Sequence, residues 1–252
     1  MIEQSAGSAR LLVDPSAGGR IAQLSVHGQD LLVGGVAGDH PMLWGSFPMV
    51  PWAGRLRHGA FTFAGRRYEL PRDLPPHAIH GTTYTQSWDV EPDGSLAIEL
   101  GPPWPLGGSA RQRFELHDDH LTCTIEVHAG DRAMPAQAGW HPWFRKPVRL
   151  LFAAGLSYEV DDEGIPTGRL VDVPPRPWDT GFTRLLGPPQ LAWPDGPTIT
   201  MSSSCRDWVV YDQPDHALCV EPQTGPPNAF NGEPEVVEPG APLVATMTLR
   251  WA

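Results

Sequence analysis

Cysteine is scarce in this chain, and the little there is forms no pattern. Cys123, Cys205 and Cys219 are an odd number with no Cys-x-x-Cys spacing, so neither a disulfide framework nor a structural zinc site is indicated. Long apolar runs are missing as well. No stretch approaches the ~18 apolar residues of a membrane span, and Met1-Ile2-Glu3-Gln4-Ser5 lacks the basic residues and apolar segment of a secretory leader. Positive charge is outnumbered: 18 Lys and Arg face 29 Asp and Glu, a net of −11. A field of that sign repels polyanions, which excludes nucleic acid and anionic membrane as partners. A neutral small molecule feels little of it, and a soluble cytoplasmic protein is expected.

Helix-compatible windows are the next shortage. The chain carries 29 prolines and 27 glycines, and these interrupt nearly every segment long enough for three helical turns. What is present instead is alternation of period two. Leu121, Cys123, Ile125 and Val127 alternate with Thr122, Thr124 and Glu126, and Leu243, Ala245, Met247, Leu249 and Trp251 alternate with Val244, Thr246, Thr248 and Arg250. Both runs predict strands with one face on a core. Shorter runs of the same kind are Ala22-Leu24-Val26, Phe61-Phe63, Leu96-Ile98-Leu100 and Phe114-Leu116, with Asp118-Asp119 placed as a two-residue hairpin turn. An all-β protein of many short strands follows, expected as a single domain over residues 1–252. The Pro-rich stretch from Val173 to Trp193 reads as loops wrapped around it.

Three distant segments combine ionisable, turn-forming and aromatic residues. They are His80-Gly81 followed by Trp88, then Gly139-Trp140-His141-Pro142-Trp143-Phe144, and Glu221-Pro222-Gln223-Thr224-Gly225-Pro226-Pro227-Asn228-Ala229-Phe230-Asn231. His141 and Glu221 each precede proline, which forces the preceding residue into extended backbone, so both side chains project from stiffened chain. A carboxylate and an imidazole are a natural base and acid near neutral pH. The plainer readings stand beside this: a Glu-Pro pair is usually solvated, a His among tryptophans usually packs, and a His-Gly pair often marks a turn.

With Pro51-Trp52-Ala53-Gly54-Arg55-Leu56-Arg57-His58-Gly59-Ala60-Phe61 and Trp178-Asp179-Thr180-Gly181-Phe182-Thr183 added, the ordered set resembles the aldose 1-epimerases, or galactose mutarotases. That resemblance implies a large antiparallel β-sandwich with a cleft on its concave face. It implies cofactor-independent interconversion of the α and β anomers of a free aldose, with no metal. It makes Glu221 the general base and His141 the general acid, and gives Arg55, His80 and Asp179 to the sugar hydroxyls. Asp161 and Asp162 remain alternatives to Asp179. Trp88, Trp143 and Phe230 offer flat faces to a pyranose, and Trp143 is the candidate named. Many members carry Asn where this chain has Gly54, a departure that bears on sugar preference.

Two rival functions stay open. A hexose 6-phosphate 1-epimerase would need basic groups such as Arg57, Arg66, Arg67 and Arg72 in the cleft, and a non-catalytic carbohydrate-binding protein could use the same fold. His77-Ala78-Ile79-His80 and His117-Asp118-Asp119-His120 hint at metal, but neither has the helical spacing of a known metal motif. The expected partner is a monosaccharide; nothing in the sequence sets the oligomeric state.

Overall fold

The computed structural model describes residues 1–36 and 38–252. Strands dominate, and three one-turn helices, Pro15–Ala17, Arg57–Gly59 and Ala229–Asn231, are the helical content among the described residues. Two antiparallel sheets make the sandwich. The larger, of eleven strands, runs Ile2–Ala6, Ala9–Asp14, Arg20–Val26, Ser46–Met49, Gly139–Arg145, Ala217–Gln223, Asp207–Tyr211, Asp179–Leu185, Ala154–Val160 and Pro166–Val171, with Gln29–Asp30 paired to Arg20–Val26. The smaller, of eight, runs Asp89–Val90, Leu96–Glu99, Ser109–Leu116, His120–His128, Leu243–Trp251, Thr198–Ser203, Gln190–Ala192 and Arg149–Leu151.

The two alternating runs of the sequence are neighbours at the centre of the smaller sheet. Their register pairs Leu121 with Leu249, Cys123 with Met247, Ile125 with Ala245 and Val127 with Leu243, and all eight side chains are buried. Burying an aliphatic side chain of this size contributes ~1.5–3 kcal/mol, so this pairing anchors the core. The hairpin turn falls at Asp118-Asp119 as expected, between Leu116 and Leu121. Leu24, Phe144, Leu218 and Val220 of the larger sheet join the same cluster from the opposite side.

The stretch from Val173 to Trp193 differs from its loop reading. Asp179–Leu185 is a strand of the larger sheet, paired with both Asp207–Tyr211 and Ala154–Val160. The prolines of the stretch lie before and after the seven residues of this strand, so none interrupts the ladder.

Glycine is compulsory at one point close to the cleft. Gly81 has φ +78°, and a Cβ there would sit 1.9 Å from the Val50 carbonyl oxygen, whereas Gly65, at φ +76°, faces open space. Both positions share the backbone cost of a left-handed residue, and only Gly81 adds a backbone clash. Thermal melts are expected to place Gly81→Ala at least ~2 kcal/mol below Gly65→Ala, or roughly 4–8 °C at this chain length. Equal melting temperatures would contradict the close approach.

Candidate active site

Strand register brings the distant motifs together. Gly139 pairs with Gln223 and Trp143 with Cys219, so His141 and Glu221, midway along these strands, stand directly opposite each other. Period two then sorts the side chains: Trp140, Phe144, Leu218 and Val220 enter the core, while His141, Trp143, Glu221 and Gln223 share the other face. Continued across the sheet, one row reads Phe47, His141, Glu221, Val209, Gly181, and the next reads Trp143, Cys219, Tyr211, Asp179. A cavity of about 370 Å³ lies over these rows.

His141 and Glu221 form its buried end. His141 Nε2 lies 3.2 Å from Glu221 Oε1, with the two residues 5 % and 2 % exposed. The imidazole is held between aromatic rings, stacked on Phe47 at 4.8 Å and on Trp143 at 5.2 Å, with His80 edge-on at 4.9 Å. Such surroundings disfavour a charged ring, and burial, with the positive charge of nearby Arg20 adding to it, depresses the His141 pKa to about 3. Arg20 is itself buried, bonded to the carbonyls of Ala17, Pro41, Trp44 and Tyr84, and stacked over Trp44. Burial acts on Glu221 in the opposite sense. It raises the carboxyl pKa well above its ordinary range, helped by Asp179 and opposed by a hydrogen bond from Gln223 Nε2 to Oε2 (3.2 Å) and by Arg55. Both members of the pair are thus biased toward their neutral forms.

A two-stranded ribbon, Arg55–Leu56 against Ala78–Ile79, carries the next two residues. His80 follows it at φ +59°, its N–H donating to Gly54 O and its Nδ1 accepting from Gly54 N–H. With Nδ1 occupied as acceptor, the ring proton sits on Nε2, and burial, with His141 and Arg55 nearby, keeps the ring neutral. His80 therefore presents an N–H donor. Arg55 Nη2 bonds Asp179 Oδ2 at 2.9 Å, both partly exposed at the cavity wall. A pair this exposed is worth ~0–1 kcal/mol, so it aims two polar groups more than it stabilises the fold. Gly54 has φ +68°, and a Cβ would lie 2.7 Å from the Pro227 ring. The absence of Asn there accompanies this close packing of two loops.

All six residues expected from the sequence, Arg55, His80, His141, Trp143, Asp179 and Glu221, line this one cavity. Asp161 and Asp162 do not: Asp161 is paired with Arg57, and Asp162 is exposed. Trp143 lines the wall with its Nε1–H bonded to Met42 O at 2.8 Å. Trp88 and Phe230 are core residues, away from the cavity. Tyr158, Tyr211, Glu163 and Gln223 also line it and were missed. Of these only Gln223 carried a local signal, since it lies two residues beyond Glu221 on a strand and so shares its face. His80, His141 and Glu221 also offer ligand atoms within 4.8 Å of one another. Neither local histidine pair considered in the sequence forms such a set among the described residues. Two imidazoles and a carboxylate can receive a metal ion or move protons.

Comparison with known proteins agrees with this architecture. The family model for aldose 1-epimerase matches residues 2–195, and the chain belongs to that family. Arg55, His80, His141 and Asp179 fall within the match; Glu221 lies beyond it. The uncharacterized protein YphB of Escherichia coli K12 is 26 % identical over 239 residues, covering 81 % of this chain and 82 % of that one. Crystal structures of the GalM/aldose epimerase homologue from C. elegans (TM-score 0.86, 17 % identity, 100 % and 98 % of the two chains) and of galactose 1-epimerase from Lactobacillus acidophilus NCFM (0.83, 16 %, 99 % and 92 %) share the fold.

The buried pair has a consequence for stability. Between about pH 3 and the ordinary 6.5, an unfolded His141 takes up a proton that the native ring refuses, so this residue lowers stability as pH falls. Glu221 acts the other way: above the ordinary 4.5 the unfolded carboxyl is ionised while the native one keeps its proton, so stability falls as pH rises toward the native pKa. Glu221→Gln is expected to raise the melting temperature at pH 8, by about 2–4 °C for each ~1 kcal/mol relieved, and by less at pH 5. A gain that is the same at both pH values, or a loss at pH 8, would contradict the burial account.

Proposed function

We propose that the protein interconverts the α and β anomers of a free aldose, with Glu221 as general base and His141 as general acid, from a single cytoplasmic domain. The observation that carries this reading is the 3.2 Å approach of His141 Nε2 and Glu221 Oε1 at the buried end of the cavity. The two oxygens of a hemiacetal that exchange protons are bonded to the same carbon, so an acid and a base that serve both must lie close together. This pair does so. The cavity volume is near the low end of the ~300–1,000 Å³ typical of small-ligand sites, which suits a monosaccharide.

In the proposed reaction the pair's own proton first passes from Glu221 Oε1 to His141 Nε2. The Glu221 carboxylate then takes the proton of the C1 hydroxyl as the C1–O bond to the ring oxygen breaks, while the His141 imidazolium delivers its proton to that ring oxygen, leaving both residues neutral. The aldehyde rotates about C1–C2. Closure on the other face reverses both transfers and returns the pair to its starting state. The neutral His80 N–H, Arg55 and Asp179 hold hydroxyls, and Trp143 covers an apolar face. General acid and base assistance of this kind supplies typically ~10²–10⁴-fold.

Charge in the cavity weighs against a phosphorylated sugar. Among the arginines near the first motif only Arg55 lines it, and that one is paired with Asp179; Arg57 is held by Asp161 and Glu163. Glu163 lines the wall as well. A passive binder would gain nothing from burying a second and costly ionisable group beside the first.

Polarimetry of freshly dissolved α-glucose, α-galactose and pentoses tests the reading against a blank for the spontaneous reaction. Wild type is expected to accelerate at least one free aldose, Glu221→Gln and His141→Ala to lose ~10²-fold or more, and chelator to change nothing. Full activity in Glu221→Gln would place the base elsewhere; sugar binding by calorimetry without acceleration would make the protein a binder.

A further inference from the structure

Gln223 is 0 % exposed, yet one of its polar atoms has no partner. Its Nε2 donates to Glu221 Oε2 at 3.2 Å, and its Oε1 is unbonded while the residue lines the cavity. With the amide NH₂ turned to Glu221 Oε2, the carbonyl oxygen is the free end. The protein around it offers no side-chain donor along its row. On one side the register places Gly139, which has no side chain, and on the other Asp207. Asp207 is itself an acceptor, taken by Tyr158 Oη–H at 2.5 Å and by Arg206 Nε–H at 3.3 Å. A buried carbonyl without a donor costs stability, and such a group at a cavity wall points to a donor supplied by the ligand.

The position of Gln223 identifies the donor. In the proposed reaction the ring oxygen faces His141 and the C1 hydroxyl faces Glu221 Oε1, so C2 is the remaining heavy-atom neighbour of the anomeric carbon. Its hydroxyl is adjacent to the one that Glu221 deprotonates. Gln223 adjoins Glu221 through the other carboxylate oxygen, on the same strand face. We propose that Gln223 Oε1 accepts a hydrogen bond from the C2 hydroxyl of the bound aldose while its NH₂ holds Glu221, making the site selective for 2-hydroxy over 2-deoxy aldoses. This rests on the anomer-interconverting reading of the same cavity.

The test compares glucose and galactose with their 2-deoxy analogues in wild type and Gln223→Met, each rate corrected for the spontaneous reaction. Wild type is expected to favour the parent sugar ~10-fold or more in kcat/KM, the size of one buried hydrogen bond. In Gln223→Met the ratio should fall toward one, with the loss concentrated on the parent sugar. A purely structural glutamine would lower both sugars together and leave the ratio unchanged, which overturns the proposal. Calorimetry on wild type alone covers a variant that fails to fold: 2-deoxy-2-fluoroglucose, which cannot donate at C2, should bind as weakly as 2-deoxyglucose. Binding equal to glucose overturns the assignment. The two claims separate cleanly: if no sugar is turned over, the catalytic reading fails, while weaker calorimetric binding of both C2-modified sugars still upholds the Gln223 contact. Absence of any discrimination or of any binding overturns it.

Discussion

The pairing of Gly139–Arg145 with Ala217–Gln223 is the constraint on which the site depends. It sets residues 80 positions apart opposite each other, and the pleat turns His141 and Glu221 to the same face while Trp140, Phe144, Leu218 and Val220 turn into the core. A slip of one residue would exchange these sets, burying the ionisable groups among apolar side chains and exposing a tryptophan and a phenylalanine. The apolar residues therefore hold the polar ones in register. The core and the site are two faces of one arrangement.

The local environment then moves both groups away from their aqueous behaviour. Phe47 and Trp143 exclude water from His141, and the closed end of the cavity does the same for Glu221. Neither charge is well solvated alone, so the pair favours states in which charge is avoided or shared. That arrangement lowers stability at both ends of the pH scale and keeps a proton acceptor and donor in contact. It matches the usual pattern in which active sites are paid for by the surrounding core. The mouth is different in kind: Arg55 and Asp179 are partly exposed, salt-screened and suited to exchanging partners with hydroxyls.

Much of the fold was legible because it depends on local alternation. The runs 121–127 and 243–251 announced themselves as strands, and the Asp118-Asp119 turn was readable from two acidic residues between apolar runs. Their being neighbours was not, since more than a hundred residues intervene and register emerges only from the assembled sheet. The strand Asp179–Leu185 was hidden by prolines that turned out to flank it. In the site, His141 and Glu221 were marked by the prolines that follow them, and family resemblance supplied their partners. Phe47 carried no such mark: nothing in Ser46-Phe47-Pro48-Met49 indicates that its ring stacks on an imidazole nearly a hundred residues later. Gln223 lay in plain view beside Glu221, but its free carbonyl is a property of Gly139 and Asp207, which only the register brings alongside.

The most direct test of the account is two-dimensional exchange NMR on equilibrated glucose and galactose, following the anomeric protons with wild type and with Glu221→Gln at neutral pH. Catalysed exchange is read as cross peaks between α and β H1 signals at mixing times too short for the spontaneous reaction. The account predicts these cross peaks for at least one sugar with wild type and none with the variant. Cross peaks of equal intensity with both proteins would contradict the assignment of the buried pair as the proton-transfer centre.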